Sequence, residues 1–249
     1  MSKPIAFITG ATSGIGWSTA KNLADDYRII ACGRRKDRLD ALKKELSNTE
    51  VLTLLFDVRN RAAVESSVKS IPEDWQEIEV LVNNAGNAHG LDPIQDGSID
   101  DWEAMIDINV KGLLYVSKAI IPGMTARKSG HIINIGSIAG KEVYPNGNVY
   151  CASKHAVDAI NNGMRIDLNP FGIRVTSINP GLVETEFSEV RFKGDSDRAE
   201  KVYQGYKALQ ADDVAEVIRF VVTRPPHVML SDVILLPTAQ ASSTIVKKN

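Results

Sequence analysis

The sequence predicts an α/β protein built on a doubly wound, seven-stranded parallel sheet with helices on both faces. Seven short apolar runs alternate along the chain with longer stretches whose apolar residues recur at helical spacing. A glycine-rich turn follows the first run and leads into the first helical stretch, as in a strand-turn-helix unit. The 249 residues suffice for one large core, so we expect a single domain over residues 1–249.

The predicted strands are apolar segments bounded by turn residues. They cover residues 5–8, 28–31, 51–56, 80–83, 131–135, 174–178 and 228–235. Two long segments, 102–121 and 149–168, have apolar residues at helical spacing and predict central helices. Pro170 and Gly172 then predict the end of the second helix, because proline cannot continue a helix and glycine favours its termination.

The glycine-rich turn predicts a binding site for a pyrophosphate. It reads Thr9-Gly10-Ala11-Thr12-Ser13-Gly14-Ile15-Gly16. Such a turn lets backbone amides and the positive end of a helix meet a phosphate group. An ordinary tight connection is the alternative interpretation of a glycine-rich turn by itself.

A Tyr-x-x-x-Lys pair lies on the second predicted long helix. Tyr150 and Lys154 are four positions apart, so their side chains lie on one helix face. An ammonium near a phenol favours the phenolate and lowers its pKa from about 10, which would let Tyr150 accept a hydroxyl proton. The alternative is a packed ring beside a solvated amine. Ser137, upstream, is a candidate to bind the substrate oxygen or, alternatively, to cap a turn.

The second predicted strand leads into two arginines instead of an acid. NAD-selective folds of this type usually have an acidic residue here, against the ribose hydroxyls. Arg34 and Arg35 can instead donate charge-assisted hydrogen bonds to a 2′-phosphate, which predicts NADP as the cofactor. We give Arg34 the greater weight, because it directly follows Gly33, and Arg35 could point to solvent. Two solvated residues at a helix start are the alternative.

Together these motifs resemble those of the short-chain dehydrogenase/reductase family, over nearly the whole chain. The resemblance implies a Rossmann-like fold and a nicotinamide-dependent oxidoreductase. It is carried by the glycine-rich turn, Asn83-Asn84-Ala85-Gly86, Asn109, Ser137, Tyr150 with Lys154, and Pro180-Gly181. Two longer strings, Asp57-Val58-Arg59-Asn60-Arg61 and Glu186-Phe187-Ser188-Glu189-Val190-Arg191-Phe192-Lys193-Gly194-Asp195, resemble the bacterial NADP-dependent 3-hydroxy acid dehydrogenases that oxidise serine and allo-threonine.

The resemblance also implies roles for individual residues around the cofactor. Asp57 is expected to contact the adenine, and Lys154 the nicotinamide ribose. Asn84 is expected to contact the cofactor ribose and to stabilise the central sheet, whereas Asn109 is expected to hold a water of a proton relay. Helix capping is the alternative for Asp57, a simple turn for Asn84, and a solvent-facing or backbone-bending role for Asn109. Further cofactor contacts are implied for Gly10, Thr12, Ser13, Gly14, Ile15, Gly16, Val58, Pro180, Gly181, Val183 and Thr185.

The predicted reaction is reversible hydride transfer between a small alcohol and NADP. Tyr150 would act as acid and base, and Ser137 would steady the substrate oxygen. The segment at about 182–210 is expected to cover the substrate, where Arg191, or Lys193, would bind the carboxylate of a 3-hydroxy acid. A broader carbonyl or 3-oxoacyl reductase is the alternative enzyme, and an NADP-binding scaffold without catalysis is the alternative outside enzymes.

The composition argues against several kinds of partner and site. A formal net charge of −2 and a pI near 6.1 give no electrostatic reason to expect nucleic acid or an anionic membrane as a partner. No apolar run approaches a membrane span, and the amino terminus does not resemble a signal peptide, so we expect a cytoplasmic protein. Cys32 and Cys151 are expected to be reduced and packed, and the scattered histidines predict no catalytic metal. The family resemblance further implies a homotetramer.

Overall fold

The computed structural model describes residues 2–249 and contains a parallel sheet with helices on both faces. Its elements, in chain order, are β1 (Ile5–Thr9), α1 (Gly14–Leu23), β2 (Arg28–Gly33), α2 (Lys36–Glu45), β3 (Val51–Leu55), α3 (Arg61–Lys69), β4 (Ile78–Asn83), α4 (Ile99–Ile106), α5 (Leu113–Arg127), β5 (His131–Ile135), α6 (Asn148–Leu168), β6 (Arg174–Pro180), β7 (Val183–Glu184), α7 (Phe187–Arg191), α8 (Ser196–Tyr203), β8 (Leu209–Gln210), α9 (Ala211–Val222) and β9 (Asp232–Leu235).

The main sheet has the predicted seven strands, in the order β3-β2-β1-β4-β5-β6-β9, and all its pairs are parallel. From β1 the chain winds outward to β3, and it then returns to start β4 on the other side of β1. A doubly wound sheet leaves a crevice at this reversal, beyond the carboxyl ends of its strands. The glycine-rich turn after β1 and the Asn-Asn-Ala-Gly segment after β4 therefore meet at one place.

Strand β1 shows why the sheet is stable. All five of its residues are buried, and successive side chains point to opposite faces. Ile8 packs in the core cluster that contains residues of α1 and α9, whereas Phe7 packs in the cluster that contains residues of α5. Full burial of each such side chain contributes about 1.5–3 kcal/mol. The sheet is thus sandwiched between two apolar layers, as the continuous apolar runs predict.

The two predicted central helices are present, but the first is interrupted and the second starts one residue earlier than predicted. The predicted helix 102–121 belongs to a longer helical stretch in which a π-helical segment, Asp107–Gly112, separates α4 from α5. Helix α6 begins one residue before the predicted start and ends at Leu168. Pro170 and Gly172 do end it, since a short 3₁₀ turn follows and Gly172 has a φ of +70°. None of the helices within residues 2–249 is long and apolar enough to span a membrane.

The last strand is shorter than predicted. The sequence predicts a strand over 228–235, but β9 begins only at Asp232, where its pairing with Ser177 of β6 starts. Val228 lies in a turn, since its amide donates to the carbonyl of Pro225. The short β3 likewise ends at Leu55 instead of residue 56. At β9 the apolar run begins before the first residue that pairs with β6, and at β3 it extends one residue beyond the last register pair with β2.

The segment predicted to cover the substrate forms a small structure of its own. It contains β7, α7, α8 and β8, and the two short strands pair with each other and not with the main sheet. The hydroxyl of Tyr203 bonds the carbonyl oxygen of Val183 at 2.9 Å and the hydroxyl of Ser188 at 2.7 Å. These bonds hold α8 against the start of the segment.

Candidate active site

The glycine-rich turn lies in the crevice between β1 and β4. Gly10 and Gly14 have φ values of +66° and +50°, in the left-handed region that favours glycine. A Cβ atom on Gly16 would lie 2.4 Å from the carbonyl oxygen of Gly10, so a side chain there would force the backbone apart. The turn therefore stays close to the amino end of α1, where the helix dipole favours an anion.

Asn84 joins this turn to the end of β4. Its Nδ2 atom donates to the carbonyl oxygens of Thr9 at 2.9 Å and of Gly10 at 3.3 Å. The Thr9 hydroxyl in turn accepts hydrogen bonds from the amides of Asn84 and Ala85. Asn84 thus stabilises the central sheet, as the family resemblance implies, and is more than a turn residue. Its contact with a ribose stays a prediction.

The two arginines after β2 point in different directions. Arg34 is more than half exposed and pairs with Asp57 at 3.3 Å. Arg35 does not point to solvent: it lies over the glycine-rich turn and donates to the hydroxyls of Thr12 at 3.1 Å and Ser13 at 2.8 Å. The greater weight given to Arg34 for a 2′-phosphate stays a prediction, but Arg35 is the arginine that lies on the turn. The reason is geometric, because Arg35 immediately precedes α2 and its side chain extends back toward the turn.

Asp57 follows β3 and is held by arginines. Its two oxygens accept hydrogen bonds from Arg59, and one also pairs with Arg34. Partial burial raises the pKa of Asp57, but the hydrogen bonds from Arg59 outweigh it, so the pKa is lowered overall. The capping alternative is wrong, since Asn60 is the residue whose side chain caps α3, at the amide of Ala63. The adenine contact of Asp57 stays a prediction.

Tyr150, Lys154 and Ser137 come together, and each is only 8% exposed. The Lys154 Nζ atom donates to the carbonyl of Ile135 at 2.9 Å and lies 6.0 Å from the centroid of the Tyr150 ring. The Ser137 hydroxyl accepts from the amide of Ala139 at 3.1 Å, so it also caps a short turn. Helix α6 supplies the first two residues and the end of β5 the third. The solvated amine of the alternative interpretation is thus excluded.

The pKa values correct one expectation about this group. Burial raises the pKa of the Tyr150 phenol, while the Ser137 side chain and the charge of Arg191 lower it. Burial also lowers the pKa of Lys154 to about 8. The sequence predicts that Lys154 lowers the tyrosine pKa, but here the loss of water around both groups dominates. The groups that favour the phenolate in this structure are Ser137 and Arg191.

Asn109 lies in the π-helical segment and is buried. Its Nδ2 atom donates to the carbonyl of Asn87 at 2.8 Å and to the hydroxyl of Ser153 at 3.0 Å. Its Oδ1 atom accepts from the amide of Asn87 at 2.9 Å. A solvent-facing role is therefore wrong. Asn109 fixes the segment after β4 against α6, and short π-helical turns often mark functional sites. Its role in a proton relay stays a prediction.

Arg191 and Lys193, the two candidates for a substrate carboxylate, differ in position. The Arg191 guanidinium lies 5.7 Å from the centroid of the Tyr150 ring and 5.6 Å from that of Tyr144. Its Nε atom donates to the carbonyl of Gly90, and its Nη2 atom is buried with no hydrogen-bond partner within residues 2–249. Lys193 instead pairs with Asp101 at 2.9 Å and is largely exposed. Of these two residues, only Arg191 faces Tyr150, the candidate catalytic tyrosine.

One cavity of about 710 Å³ brings these parts together. It runs from Arg34 and Arg35, past the glycine-rich turn, to Tyr150 and Arg191, a volume within the usual range for ligand sites. The catalytic, cofactor and substrate residues predicted from the sequence line this cavity, except Gly16, Asn109 and the alternative carboxylate candidate Lys193. Gly16 and Asn109 lie behind the lining and support it, whereas Lys193 pairs with Asp101 outside it.

Sequence reasoning missed several residues of the cavity. Phe187 meets the Tyr150 ring edge-on, with 5.8 Å between the ring centroids. Gln240 accepts a hydrogen bond from the amide of Leu182 and so holds the start of the covering segment. Glu186 pairs with Arg35. Glu186 and Phe187 belong to a string that carries the family resemblance, but the string does not reveal their contacts, because each of the three residues meets a partner far away along the chain.

Within residues 2–249 the cysteines and histidines form neither a disulfide nor a metal site. Cys32 and Cys151 are free and buried, and burial raises the pKa of both thiols, which agrees with a packing role. Across residues 2–249 there is no group of three or more His, Cys, Asp or Glu residues that could hold a metal ion.

Comparison with known proteins agrees with this geometry. A family model described as short chain dehydrogenase matches residues 4–196. An NADP-dependent 3-hydroxy acid dehydrogenase of Salmonella typhi is 49% identical over 239 residues, which cover 95% of this chain and 96% of that protein. Sulfoacetaldehyde reductase 2 of Chromohalobacter salexigens is 43% identical over 242 residues, covering 96% of each protein. The closed form of a serine dehydrogenase complexed with NADP⁺ has a TM-score of 0.92 at 46% identity, covering 98% of this chain and 99% of that one. The chain therefore belongs to the short-chain dehydrogenase family.

Proposed function

We propose that the protein is an NADP-dependent oxidoreductase that reversibly transfers hydride between a small 3-hydroxy acid and NADP. The observation that carries this proposal is the position of Arg191, whose guanidinium lies beside Tyr150 with one buried, unpartnered nitrogen. A guanidinium in this setting recognises a carboxylate by charge-assisted hydrogen bonds. Relatives named as 3-hydroxy acid and serine dehydrogenases support the same substrate class.

The residues around the cavity fit NADP. The glycine-rich turn has close backbone contacts that leave no room for side chains, as a pyrophosphate cradle requires. At the end of β2 the cavity is lined by Arg34 and Arg35, and residues 32–35 include no acid in the position that binds free ribose hydroxyls in NAD-selective folds. Both features favour a nucleotide with a 2′-phosphate. When bound, NADP accepts or supplies the hydride.

Tyr150 is the residue that exchanges a proton with the substrate oxygen. Its raised pKa keeps the phenol protonated at neutral pH, which is the form that can donate a proton to a carbonyl during reduction. Oxidation requires the phenolate, which Ser137 and Arg191 favour. Ser137 lies beside the tyrosine and can hold the substrate oxygen.

Lys154 and Asn109 support this proton transfer. The Lys154 ammonium is fixed by the carbonyl of Ile135 at the end of β5 and lines the cavity next to Tyr150. We assign it the nicotinamide ribose and a favourable charge for the phenolate once the site is filled. The Asn109 side chain bonds the main chain of Asn87 and so holds it against α6. We assign Asn109 the role of holding a water of the relay that returns the proton to solvent.

A substrate panel tests the proposal. The purified protein is mixed with NADP and with serine, allo-threonine, 3-hydroxybutyrate or matched uncharged alcohols, and NADPH absorbance is followed, with NAD in parallel. We expect turnover with the carboxylate substrates and NADP, and much weaker turnover with the uncharged alcohols. Equal use of uncharged ketones or acyl thioesters would favour the broader carbonyl or 3-oxoacyl reductase. NADP binding without turnover of any substrate would favour the scaffold.

We also infer a homotetramer. Leu114 on α5 and Ile166 on α6 are 40% and 69% exposed, and Phe220 on α9 and Ile234 on β9 are each 50% exposed. Large exposed apolar side chains on two separate faces fit two kinds of subunit contact, as a closed tetramer with dihedral symmetry needs. Light scattering coupled to size-exclusion chromatography measures the mass directly, and a monomer mass would contradict the inference.

A further inference from the structure

Glu186 lies where the covering segment meets the glycine-rich turn. Its neighbour Thr185 packs on Gly14, where a Cβ atom would be 3.3 Å from the threonine side chain. Its other neighbour, Phe187, meets the ring of Tyr150 edge-on. Three consecutive residues therefore connect the phosphate end of the cavity with the catalytic tyrosine.

The Glu186 carboxylate is held by two guanidinium groups, one on each oxygen. Oε2 accepts from Arg35 at 3.0 Å and Oε1 from Arg38 at 2.5 Å. Partial burial raises the pKa of Glu186, but the hydrogen bonds from Arg38 and Arg35 outweigh it and lower the pKa overall. The carboxylate is therefore ionised at neutral pH. All three side chains are partly exposed, at 37–40%, so the group can exchange partners with a dissolved anion.

Arg35 is shared between the turn and the covering segment. The same guanidinium that binds Glu186 also donates to the hydroxyls of Thr12 and Ser13. The dianionic 2′-phosphate of a nucleotide that reaches Arg35 would find this guanidinium already paired with a carboxylate. Two anions that approach one guanidinium repel each other and compete for its N–H groups.

We propose that Glu186 and the 2′-phosphate of NADP compete for Arg35, and that Arg38 retains Glu186 when the phosphate binds. The proposal rests on the proposed use of NADP. Glu186 is then a positioning residue with two effects. It holds Arg35 ready at the turn in the free enzyme, and through Arg38 it keeps Phe187 against Tyr150 after the phosphate has bound. A nucleotide without a 2′-phosphate leaves the Glu186–Arg35 pair intact.

Two adenosine fragments test the competition without any catalysis. Adenosine 2′,5′-bisphosphate carries the 2′-phosphate and adenosine 5′-monophosphate does not, and calorimetric titration measures the Kd of each. The variant Glu186→Gln keeps the shape and removes the charge. We expect it to bind the bisphosphate about three- to ten-fold more tightly, because one competing anion is gone, and to bind the monophosphate as the wild type does.

The chain offers a matched control and a second variant. Glu189→Gln makes the same charge change on α7, at an exposed residue whose side chain has no hydrogen bond or ion pair within residues 2–249, and neither Kd should change. Arg38→Gln leaves Glu186 to Arg35 alone and should weaken binding of the bisphosphate. In the double variant Glu186→Gln/Arg38→Gln that weakening should disappear, whereas a direct contact of Arg38 with the phosphate would preserve it.

Each other outcome overturns the competition. Weaker binding of the bisphosphate by Glu186→Gln would show that the carboxylate only orders Arg35. Equal tightening of both fragments would show a general change of the site, and an unchanged Kd would show that Glu186 and the phosphate do not meet. If the wild type binds both fragments equally, the proposed use of NADP itself fails. These binding results do not depend on which alcohol is the substrate.

Discussion

The sheet beneath the cavity and the segment that covers it are held by contacts of different kinds. Every residue of β1 is buried, and the sheet lies between two continuous apolar clusters. In the covering segment, α7 and α8 bury only Ser188 and Ala199. Limited apolar contacts such as Phe187 on Tyr150, partly exposed ion pairs and single hydrogen bonds hold the segment in place. Apolar burial contributes about 25 cal/mol per Å², whereas a surface ion pair contributes about 0–1 kcal/mol.

Because of this difference, one part of the molecule determines its stability and another part contacts the ligand. The sheet supplies most of the free energy of unfolding and sets the position of the glycine-rich turn, Ser137 and α6. The covering segment contributes little to stability, and two of its charged residues, Glu186 and Arg191, line the cavity. Substitutions in the sheet and its helices, at residues that do not line the cavity, should therefore change stability with little effect on kinetics. Substitutions of the segment residues that line the cavity should do the reverse.

The largest expected effect is at Tyr150, which belongs to the stable framework but faces the covering segment. Tyr150→Phe removes the proton-exchanging oxygen, so kcat should fall about 10²- to 10⁴-fold while the melting temperature and NADP affinity stay unchanged. Steady-state kinetics, calorimetric NADP titration and thermal melting measure the three quantities. Tyr115→Phe on α5 is the matched control. Near-normal turnover by Tyr150→Phe would refute the acid/base role.

The second effect is in the covering segment. Arg191→Ala should lower kcat/KM for carboxylate substrates about 10- to 100-fold, because the carboxylate loses a charged hydrogen-bond donor. Uncharged alcohols should lose less, and the melting temperature should hardly change. The control is Lys193→Ala in the same segment, since Lys193 pairs with Asp101 outside the cavity. Equal losses for charged and uncharged substrates would remove Arg191 from carboxylate binding.

The third effect concerns acid stability of the sheet. His131 is fully buried on β5 and bonds the Thr176 hydroxyl at 2.8 Å, and burial, with a smaller contribution from Arg174, lowers its pKa from 6.5 to about 3. Between these values the unfolded chain binds a proton and the folded protein does not, so stability falls as pH decreases from 6.5 toward 3. We expect His131 to account for about 2 kcal/mol of the stability lost between pH 7 and pH 5.

Urea unfolding at several pH values checks this contribution. His131→Gln should show a smaller loss of stability at pH 5 than the wild type, whereas His227→Gln, at an exposed position, should show the same loss as the wild type. An identical pH dependence of the wild type and His131→Gln would exclude His131 as the cause.

The smallest effect is at the start of α3. Asn60 caps this helix by accepting a hydrogen bond from the amide of Ala63 at 3.0 Å, and Asn60→Ala should cost about 1 kcal/mol of unfolding free energy. Its kinetics should be those of the wild type, since the residue supports the framework. Asn48→Ala, at an exposed residue outside any helix, serves as the control in the same urea titration. A kinetic defect in Asn60→Ala would contradict the separation between residues that stabilise the sheet and residues that bind ligand.

Local patterns predict the framework well, for a physical reason. Strands such as β1 are apolar throughout because both faces of a parallel sheet are covered, and α6 has its Tyr150 and Lys154 on one face because of the helical period. The glycines of the turn are required by backbone geometry within eight residues. These features depend on neighbours in the chain, so they are visible in the sequence.

The errors arise where distant residues meet. Arg35, not Arg34, lies on the turn, and its partner Glu186 is 151 residues away. Lys154 does not dominate the pKa of Tyr150, because burial of both groups depends on how α6 packs against β5 and the segment. Asn60, not Asp57, caps α3, since the cap is set by where the helix actually begins.

By itself the sequence determined the doubly wound sheet, the glycine-rich turn, the order of the candidate catalytic positions, and NADP as the cofactor from two arginines in place of an acid. Periodicity, chain connectivity and residue chemistry are local properties, and they suffice for these conclusions. Only the tertiary structure decided which charged side chains meet, which of them lose their water, and that Arg191 rather than Lys193 faces Tyr150. Ion pairing and burial are properties of three-dimensional packing, and a linear pattern does not contain them.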